Sequence, residues 1–520
     1  MLKRLIQKDS IEFDASTAAA LRKLAFILLT LVLFITTTYA LPILTRFRPW
    51  VPGEAVPLAR LFQPYDSSLL PAFAEAAALA APDQDANRRK SRERESKVKD
   101  KAGSPAARTR IAPEEIEGLT QQIEDPEGRA LAPFYQALLR TAERRSKAIT
   151  RVAHFGDSAV AADSITVTVR RRMQKRFGDA GHGFILIARG QMHYYHMDIR
   201  HRASDDWQLY PIVLLSLGTD WYGYGGVQFR SAPGSWARFA TSDRGEVGGR
   251  ASRFEIFYQI YPGGGKLIAK LDEQPPVAID TRGPQKQDAW FTLETSDGPH
   301  KLSLRTDGRA PVRLYGVALE RETPGVVYDS LGMVGGRAER LLAFEREHIQ
   351  GQLDHRDPDL LILAFGGNEA DNRWLDIARY ERNLRKVVKH LVVQGNRPAC
   401  LLFAPLDQAE RDERGEIRTI AKLPEIVETQ RRVARAQGCA FFDTYQAMGG
   451  KDAMKRWYRQ RPRLATSDFR HATAAGYERI GDMFYKAILK GFADHLSKGK
   501  AAGGSKQPKT SDLPNPKGSN

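Results

Sequence analysis

Serine, asparagine, aspartate and histidine recur in this chain at places where reactive side chains are commonly held. The stretch VAHFGDSAVAAD, Val152 to Asp163, climbs through an apolar run to Gly156 and meets Asp157 and Ser158. It then passes at once into SAVAADSITVTVRRRMQKRF, which has helical spacing. A serine at such a junction has two readings. It is an N-cap that satisfies free N–H groups of the first turn, or it is a nucleophile once a neighbouring base takes its proton. Gly332 closes GVVYDSLG, Asn368 follows an apolar run in AFGGNEADN, and Asp468 and His471 lie in SDFRHATAAGY before the last helical pattern. Each has a plain structural alternative when taken alone; GGN, for example, is often only a turn.

The elements that must position these residues alternate in type. Strand ITRVAHFGD and its helix are followed, much later, by GVVYDSLG, RAERLLAFEREHIQ, DLLILAFGG, ARYERNLRKVVKHLVVQ, ACLLFAP, EIVETQRRVARAQ and AFFDTY, and then by the helical TAAGYERIGDMFYKAILKGFADHL. LLILAF and CLLFA are continuously apolar, as strands covered on both faces should be. The pattern predicts a doubly wound α/β domain with a parallel sheet, whose ligands sit beyond the carboxyl ends of the strands. Between its halves, helical spacing disappears. Short alternating runs such as SRFEIFYQIY, KLIAKLD and HKLSLRTD, separated by PGGG, SDGP and DGRAP, predict an all-β sandwich or jelly roll. Its ends are expected near the carboxyl edge of the sheet, beside Ser158.

The N-terminal part is read as a membrane tether. Leu24 to Leu44, LAFILLTLVLFITTTYALPIL, carries no charge and at 1.5 Å per residue is long enough for a transmembrane helix. Lys3, Arg4, Lys8, Arg22 and Lys23 precede it and place the N-terminus in the cytoplasm. Ala40, closing TYA, is a passable cleavage site, but the long polar stretch before the apolar run favours an uncleaved anchor. The expected organisation is therefore 1–23 cytoplasmic, 24–44 anchor, 45–110 flexible basic tether, 111–188 first part of the α/β domain, 189–323 β-rich insertion, 324–496 second part and 497–520 disordered tail.

The formal net charge of +17 favours anionic surroundings. Much of it lies in NRRKSRERESKVKDK and in the tail, which lack the interleaved aromatics of single-strand nucleic-acid binders, so no nucleic-acid partner is expected. Cys400 and Cys439 lie in apolar strand-like runs and read as small buried hydrophobes rather than a disulfide. His193 and His196 in HYYH have no carboxylate or cysteine set to complete a metal site, and His182 reads as a structural loop histidine. Trp207, Tyr210, Trp221, Tyr222, Tyr224 and Trp236 read as sandwich core or interdomain packing ahead of sugar stacking, with Trp221 and Tyr224 the first to test for the latter.

In order and spacing, the four reactive stretches resemble the blocks of the SGNH hydrolases, also called GDSL esterases. Gly156-Asp157-Ser158 matches the nucleophile block. SLGMVG gives Gly332 and Gly335 with the second block's spacing, although Ser330 stands where Asn is usual. Gly366-Gly367-Asn368 matches the third, with Glu369 in place of Asp, and Asp468 and His471 match the Asp-x-x-His block. The Gly-x-Ser-x-Gly elbow of other hydrolases does not fit, because Val160 occupies its last position. The resemblance implies Ser158 as nucleophile, His471 as base and Asp468 as the group that fixes the imidazole. It also implies an oxyanion hole from the N–H groups of Ser158 and Gly332 and the amide of Asn368.

A domain of this kind, split by a β-sandwich on a membrane tether, is similar to periplasmic peptidoglycan O-acetylesterases; YDSLG, GNEA and FFDTYQAMGG add to the likeness. This implies a membrane-anchored serine esterase on the periplasmic side, removing O-acetyl or other small acyl groups from an envelope glycan, peptidoglycan first, without metal or organic cofactor. Two other classes stay open. One is an O-acyltransferase using the same serine on an envelope polysaccharide. The other is a non-catalytic glycan-binding scaffold, against which the intact Ser, Asn, Asp and His set argues.

Overall fold

The computed structural model describes Thr30, Thr37 and residues 105–503, apart from 190–193, 219 and 393–397. The expected anchor at 24–44, Thr30 and Thr37 aside, lies outside the described residues, as does most of the tether. No helix among the described residues is long and apolar enough to cross a membrane.

Five strands form the parallel sheet, labelled here in chain order: β1 (Ile149–Gly156), β2 (Gly325–Gly332), β3 (Leu360–Ala364), β4 (Ala399–Phe403) and β5 (Ala440–Phe442). Their spatial order is β2-β1-β3-β4-β5, all parallel. This is a doubly wound order with its switch point between β1 and β3. The period of two along each strand divides the core in half. Val152, Leu360, Ile362, Leu401 and Phe403 join the helices Ala132–Ala142, Ser164–Phe177 and Ala474–Gly503. Phe155, Leu361, Leu363 and Leu402 face the opposite way and share one core with the helices Arg346–Arg356, Ile377–Leu391 and Leu423–Ala436 and with the β-rich insertion. The closing helix runs to Gly503, past the expected start of the tail, because SKGKAAG contains good helix formers and no proline.

The insertion consists of two antiparallel sheets. One joins the strands at 287–298, 251–260, 313–320, 227–230 and 208–211, with Gly183–Leu186 paired to 313–320; the other runs 199–203, 236–241, 301–306, 266–271, 277–280. Phe229, Phe254 and Leu314 of the first share a buried core with Phe239, Leu267 and Leu302 of the second. The β-rich part thus begins at Gly183 rather than Arg189; GFIL is buried throughout and lacks the alternation that marks a half-exposed strand. Its ends also lie elsewhere than expected. Val326 N–H donates to the Gly178 carbonyl at 2.8 Å, and Arg321 N–H to the Ala180 carbonyl at 2.8 Å. The ends therefore meet at the amino edge of the sheet, at the start of β2, because the helix Ser164–Phe177 runs back along the sheet before the insertion begins.

Trp207, Tyr222 and Tyr224 are buried, in line with the core reading. Tyr224 cannot stack on a sugar: its hydroxyl donates to Asp329 Oδ2 at 3.0 Å, and Asp329 also takes Arg356 Nε at 2.8 Å. Trp221 is half-buried and stacks on His348 with 4.8 Å between ring centroids. Cys400 and Cys439 form a disulfide, with 4.7 Å between their Cα atoms. This corrects the reading of two separate thiols. The residues pair because β4 and β5 are neighbours in register, Leu401 opposite Ala440, which puts the preceding residues side by side.

Candidate active site

β1 ends at Gly156, and Asp157 caps the short helix Ser158–Ala161 by accepting from Ala159 N–H at 3.2 Å. The cap is thus Asp157, and the Ser158 hydroxyl is left for another partner. It lies 3.1 Å from His471 Nε2. Burial pushes the Asp157 carboxyl up to about 6, against the pull of the Ala159 N–H and of His471. The chain then breaks: Asp163 takes a left-handed conformation at φ 51° and the long helix starts only at Ser164. The helical stretch expected to run on from Ser158 is therefore two helices.

His471 and Asp468 sit in a loop closed by a bridge between Ala465 and Ala472, and Thr466 N–H donates to the His471 carbonyl at 3.0 Å. This short span points both side chains the same way. His471 Nδ1 meets Asp468 Oδ2 at 2.7 Å, while Asp468 Oδ1 accepts Arg470 N–H at 2.8 Å and His471 N–H at 3.1 Å. Partial burial would raise the Asp468 carboxyl, but these donors and Thr466 override it and hold it well below the usual range. The bond to Asp468 in turn raises the His471 imidazole above its ordinary value.

Asn368 lies in the short helix Gly367–Ala370 after β3 and donates one amide hydrogen to the Gly336 carbonyl at 2.9 Å. Its second amide hydrogen has no hydrogen-bond partner among the described residues. Gly366, at φ 125°, makes the turn that brings it there, a conformation that suits glycine. Glu369, where the resembling family has Asp, is buried and ties two loops together: it accepts Ala338 N–H at 2.8 Å and Gly366 N–H at 3.1 Å. Burial pushes its carboxyl up to about 7.

Ser158, His471 and Asn368 line one pocket of about 90 Å³ at the carboxyl end of the sheet. Its apolar wall is Phe403, Ala404, Pro405 and Leu406, following β4, with Ile165 and Tyr477; Asp371, Gln408 and Arg470 complete the polar side. Gly332 is not among them. Met333 N–H donates to the Gly156 carbonyl at 2.8 Å, and backbone groups alternate in direction along a strand, so Gly332 N–H points away from β1. Gly332 lines a different cavity, with Tyr194, Ile212, Gly226 and Met333. Its requirement for glycine is steric, since a Cβ there would stand 1.9 Å from Ala161 N. The expected oxyanion role of Gly332 is corrected accordingly.

His182, which is buried, and His196, which is half-buried, form a pair, Nε2 to Nδ1 at 2.8 Å; His193 lies outside the described residues. Asp157, Asp371, Gln408 and Arg470 were not singled out as site residues from the sequence. Arg470, between Asp468 and His471, had a signal in its position; Asp371 and Gln408 reach the pocket only through loop conformation.

Residues 296–479 match the family model of the GDSL-like Lipase/Acylhydrolase family. The match holds Asn368, Asp468 and His471 but starts after Ser158, which the insertion separates from the rest. No curated protein sequence matches the chain. Among solved structures, the chain is similar to a peptidoglycan O-acetylesterase, at 24% identity and TM-score 0.58, over 70% of this chain and 96% of that one. A family two carbohydrate esterase from Cellvibrio japonicus is similar at 13% identity and TM-score 0.22, over 57% of this chain and 99% of that one. The second half of the chain thus carries a GDSL-like lipase/acylhydrolase match, and its fold around the serine is that of a solved esterase, so the chain is read as a serine carboxylic ester hydrolase of the GDSL-like type over that domain.

Proposed function

We propose that the protein removes O-acetyl, or another equally small acyl group, from a cell-envelope glycan, with peptidoglycan the foremost substrate. The observation that carries this reading is the line of hydrogen bonds from Ser158 Oγ through His471 to Asp468, opening on a small pocket. His471 Nε2 takes the Ser158 proton as Oγ attacks the ester carbonyl, and returns it to the departing sugar hydroxyl. Asp468 holds Nδ1–H, fixes the tautomer and stabilises the imidazolium. The Ser158 N–H and the free amide hydrogen of Asn368 receive the charge on the carbonyl oxygen. Water then repeats the sequence on the acyl-enzyme and releases acetate.

The substrate class rests on three supports. A pocket of about 90 Å³, smaller than the cavity of about 150 Å³ that holds a benzene ring, suits an acyl group as small as acetyl. The fold is shared with a peptidoglycan O-acetylesterase. The Cys400–Cys439 disulfide suits an oxidising compartment, in keeping with a periplasmic location and an anchor at 24–44.

The test uses the full chain in detergent. It should release acetate from O-acetylated peptidoglycan and hydrolyse 4-nitrophenyl acetate, and Ser158→Ala should do neither. Hydrolysis of the small ester without acetate release from the glycan would remove the substrate assignment. Transfer of the acyl group to a glycan hydroxyl in place of water would make the protein an acyltransferase. Retention in membranes after carbonate extraction tests the anchor.

A further inference from the structure

Trp374 is 91% exposed, the most exposed of the large hydrophobic side chains described. A tryptophan in water forgoes the burial that dominates its energetics. Its neighbour Leu375 turns inward and packs on the core, so the segment is not merely loose. The loop is held in place. Trp374 N–H donates to Asn372 Oδ1 at 3.0 Å, and Leu375 N–H to the Asn372 carbonyl at 3.0 Å.

Two ion pairs fix this loop against the pocket. Asp371, itself a pocket residue, meets Arg470 Nε at 3.0 Å, next to His471. Arg373 meets Glu410 at 3.3 Å, two residues beyond Gln408 of the pocket wall. Three residues of chain span at most about 11 Å, so Trp374 stands on the rim of the site.

The surroundings select the ligand. Asp371, Arg373, Asp376 and Arg379 beside it are exposed and charged. A membrane or protein contact calls for a contiguous apolar patch. A single aromatic face among charges suits a molecule with one apolar face ringed by polar groups, which is the make-up of a sugar ring: its C–H bonds meet the electron-rich indole face while its hydroxyls stay hydrated.

We infer that Trp374 is a stacking platform for a sugar ring next to the one whose ester lies at Ser158. The inference rests on the glycan-esterase reading and deepens it: remote binding energy holds the polymer so that one ester reaches the nucleophile.

The test compares full-length wild type, Trp374→Ala and Trp374→Phe on O-acetylated peptidoglycan sacculi and on 4-nitrophenyl acetate. For Trp374→Ala, kcat/KM on sacculi should fall about five- to tenfold relative to kcat/KM on the small ester, chiefly through KM, and Trp374→Phe should recover most of it. Binding is read separately by cosedimentation of Ser158→Ala with sacculi, with and without Trp374→Ala. Loss of binding without the indole supports the platform even if wild type releases no acetate, in which case only the esterase reading fails. Equal cosedimentation with and without Trp374, or an unchanged ratio of the two activities, overturns the platform.

Discussion

Ser158 Oγ lies 3.1 Å from His471 Nε2 although the two residues are 313 positions apart in the chain. β1 delivers the serine and the loop before the last helix delivers the histidine, so neither has a function without the other. Ser158→Ala and His471→Ala should each lose nearly all hydrolysis of 4-nitrophenyl acetate, and the double variant should be little worse than either. Additive losses in the double variant would show that the two side chains act separately.

The pH profile follows from the bond between His471 Nδ1 and Asp468. The imidazole must be neutral to take the serine proton, and Asp468 raises its pKa above the ordinary 6.5. The acid limb of kcat/KM should therefore lie above pH 6.5 in wild type. In Asp468→Asn it should move down toward that value, while the rate falls at least about a hundredfold. A limb that stays in place would mean that another group titrates there.

Gly332→Ala separates a steric role from a donor role. The added Cβ would stand 1.9 Å from Ala161 N and 2.2 Å from Ala161 Cα, in the helix that Ser158 begins. Stability should drop by about 1–3 kcal/mol and activity should fall with it as Ser158 is displaced. Wild-type melting temperature in this variant would contradict the packing described.

One buried histidine, His154, and two half-buried ones, His196 and His201, make stability depend on pH. His154 Nδ1 lies 2.8 Å from the Tyr328 hydroxyl, and burial holds the imidazole down to about 3. His196 and His201 are each held down to about 4, also chiefly by burial. Below pH 6.5 the unfolded chain takes up protons that the folded one refuses, so these residues stabilise above pH 6.5 and lose that contribution as pH falls. Asp157 and Glu369, whose carboxyls are raised, work in the opposite sense. His154→Gln isolates one histidine. The difference in unfolding free energy between wild type and this variant should shrink by up to about 1.4 kcal/mol per pH unit below 6.5. Parallel pH curves from urea unfolding would refute it.

The disulfide joins residues 39 apart in sequence. Closing a loop of that length restricts the unfolded chain enough to stabilise the fold by about 4 kcal/mol. Cys400→Ala/Cys439→Ala, or full reduction, should lower the melting temperature accordingly, with hydrolysis at 25 °C retained because the bridge lies toward the amino end of β4, away from the site. An unchanged melting temperature would indicate that the bridge restrains nothing.

The local character of the elements was legible in the residue pattern alone. Apolar runs such as LLILAF suit strands covered on both faces, and their short length between a proline and a glycine pair favours a strand over a buried helix; β3 and β4 are such strands. The same logic placed Ser158, Asn368, Asp468 and His471 after strands or in a loop, where a parallel sheet gathers its reactive groups. What tertiary structure alone decided were relations between distant segments. Whether Cys400 meets Cys439 depends on which strands are neighbours and in what register, and composition is silent on both. Gly332 matched a short motif by spacing, yet the direction of its N–H is set by the partner that Met333 takes in β1. The ends of the insertion went to the amino edge of the sheet because a helix of 14 residues first runs back along it. Tyr224 and Trp374, alike aromatic in the sequence, part company for the same reason: one is sealed between the insertion and β2, the other stands in water at the rim. Burial is a property of what packs on a residue, and that is settled only when the chain has closed on itself.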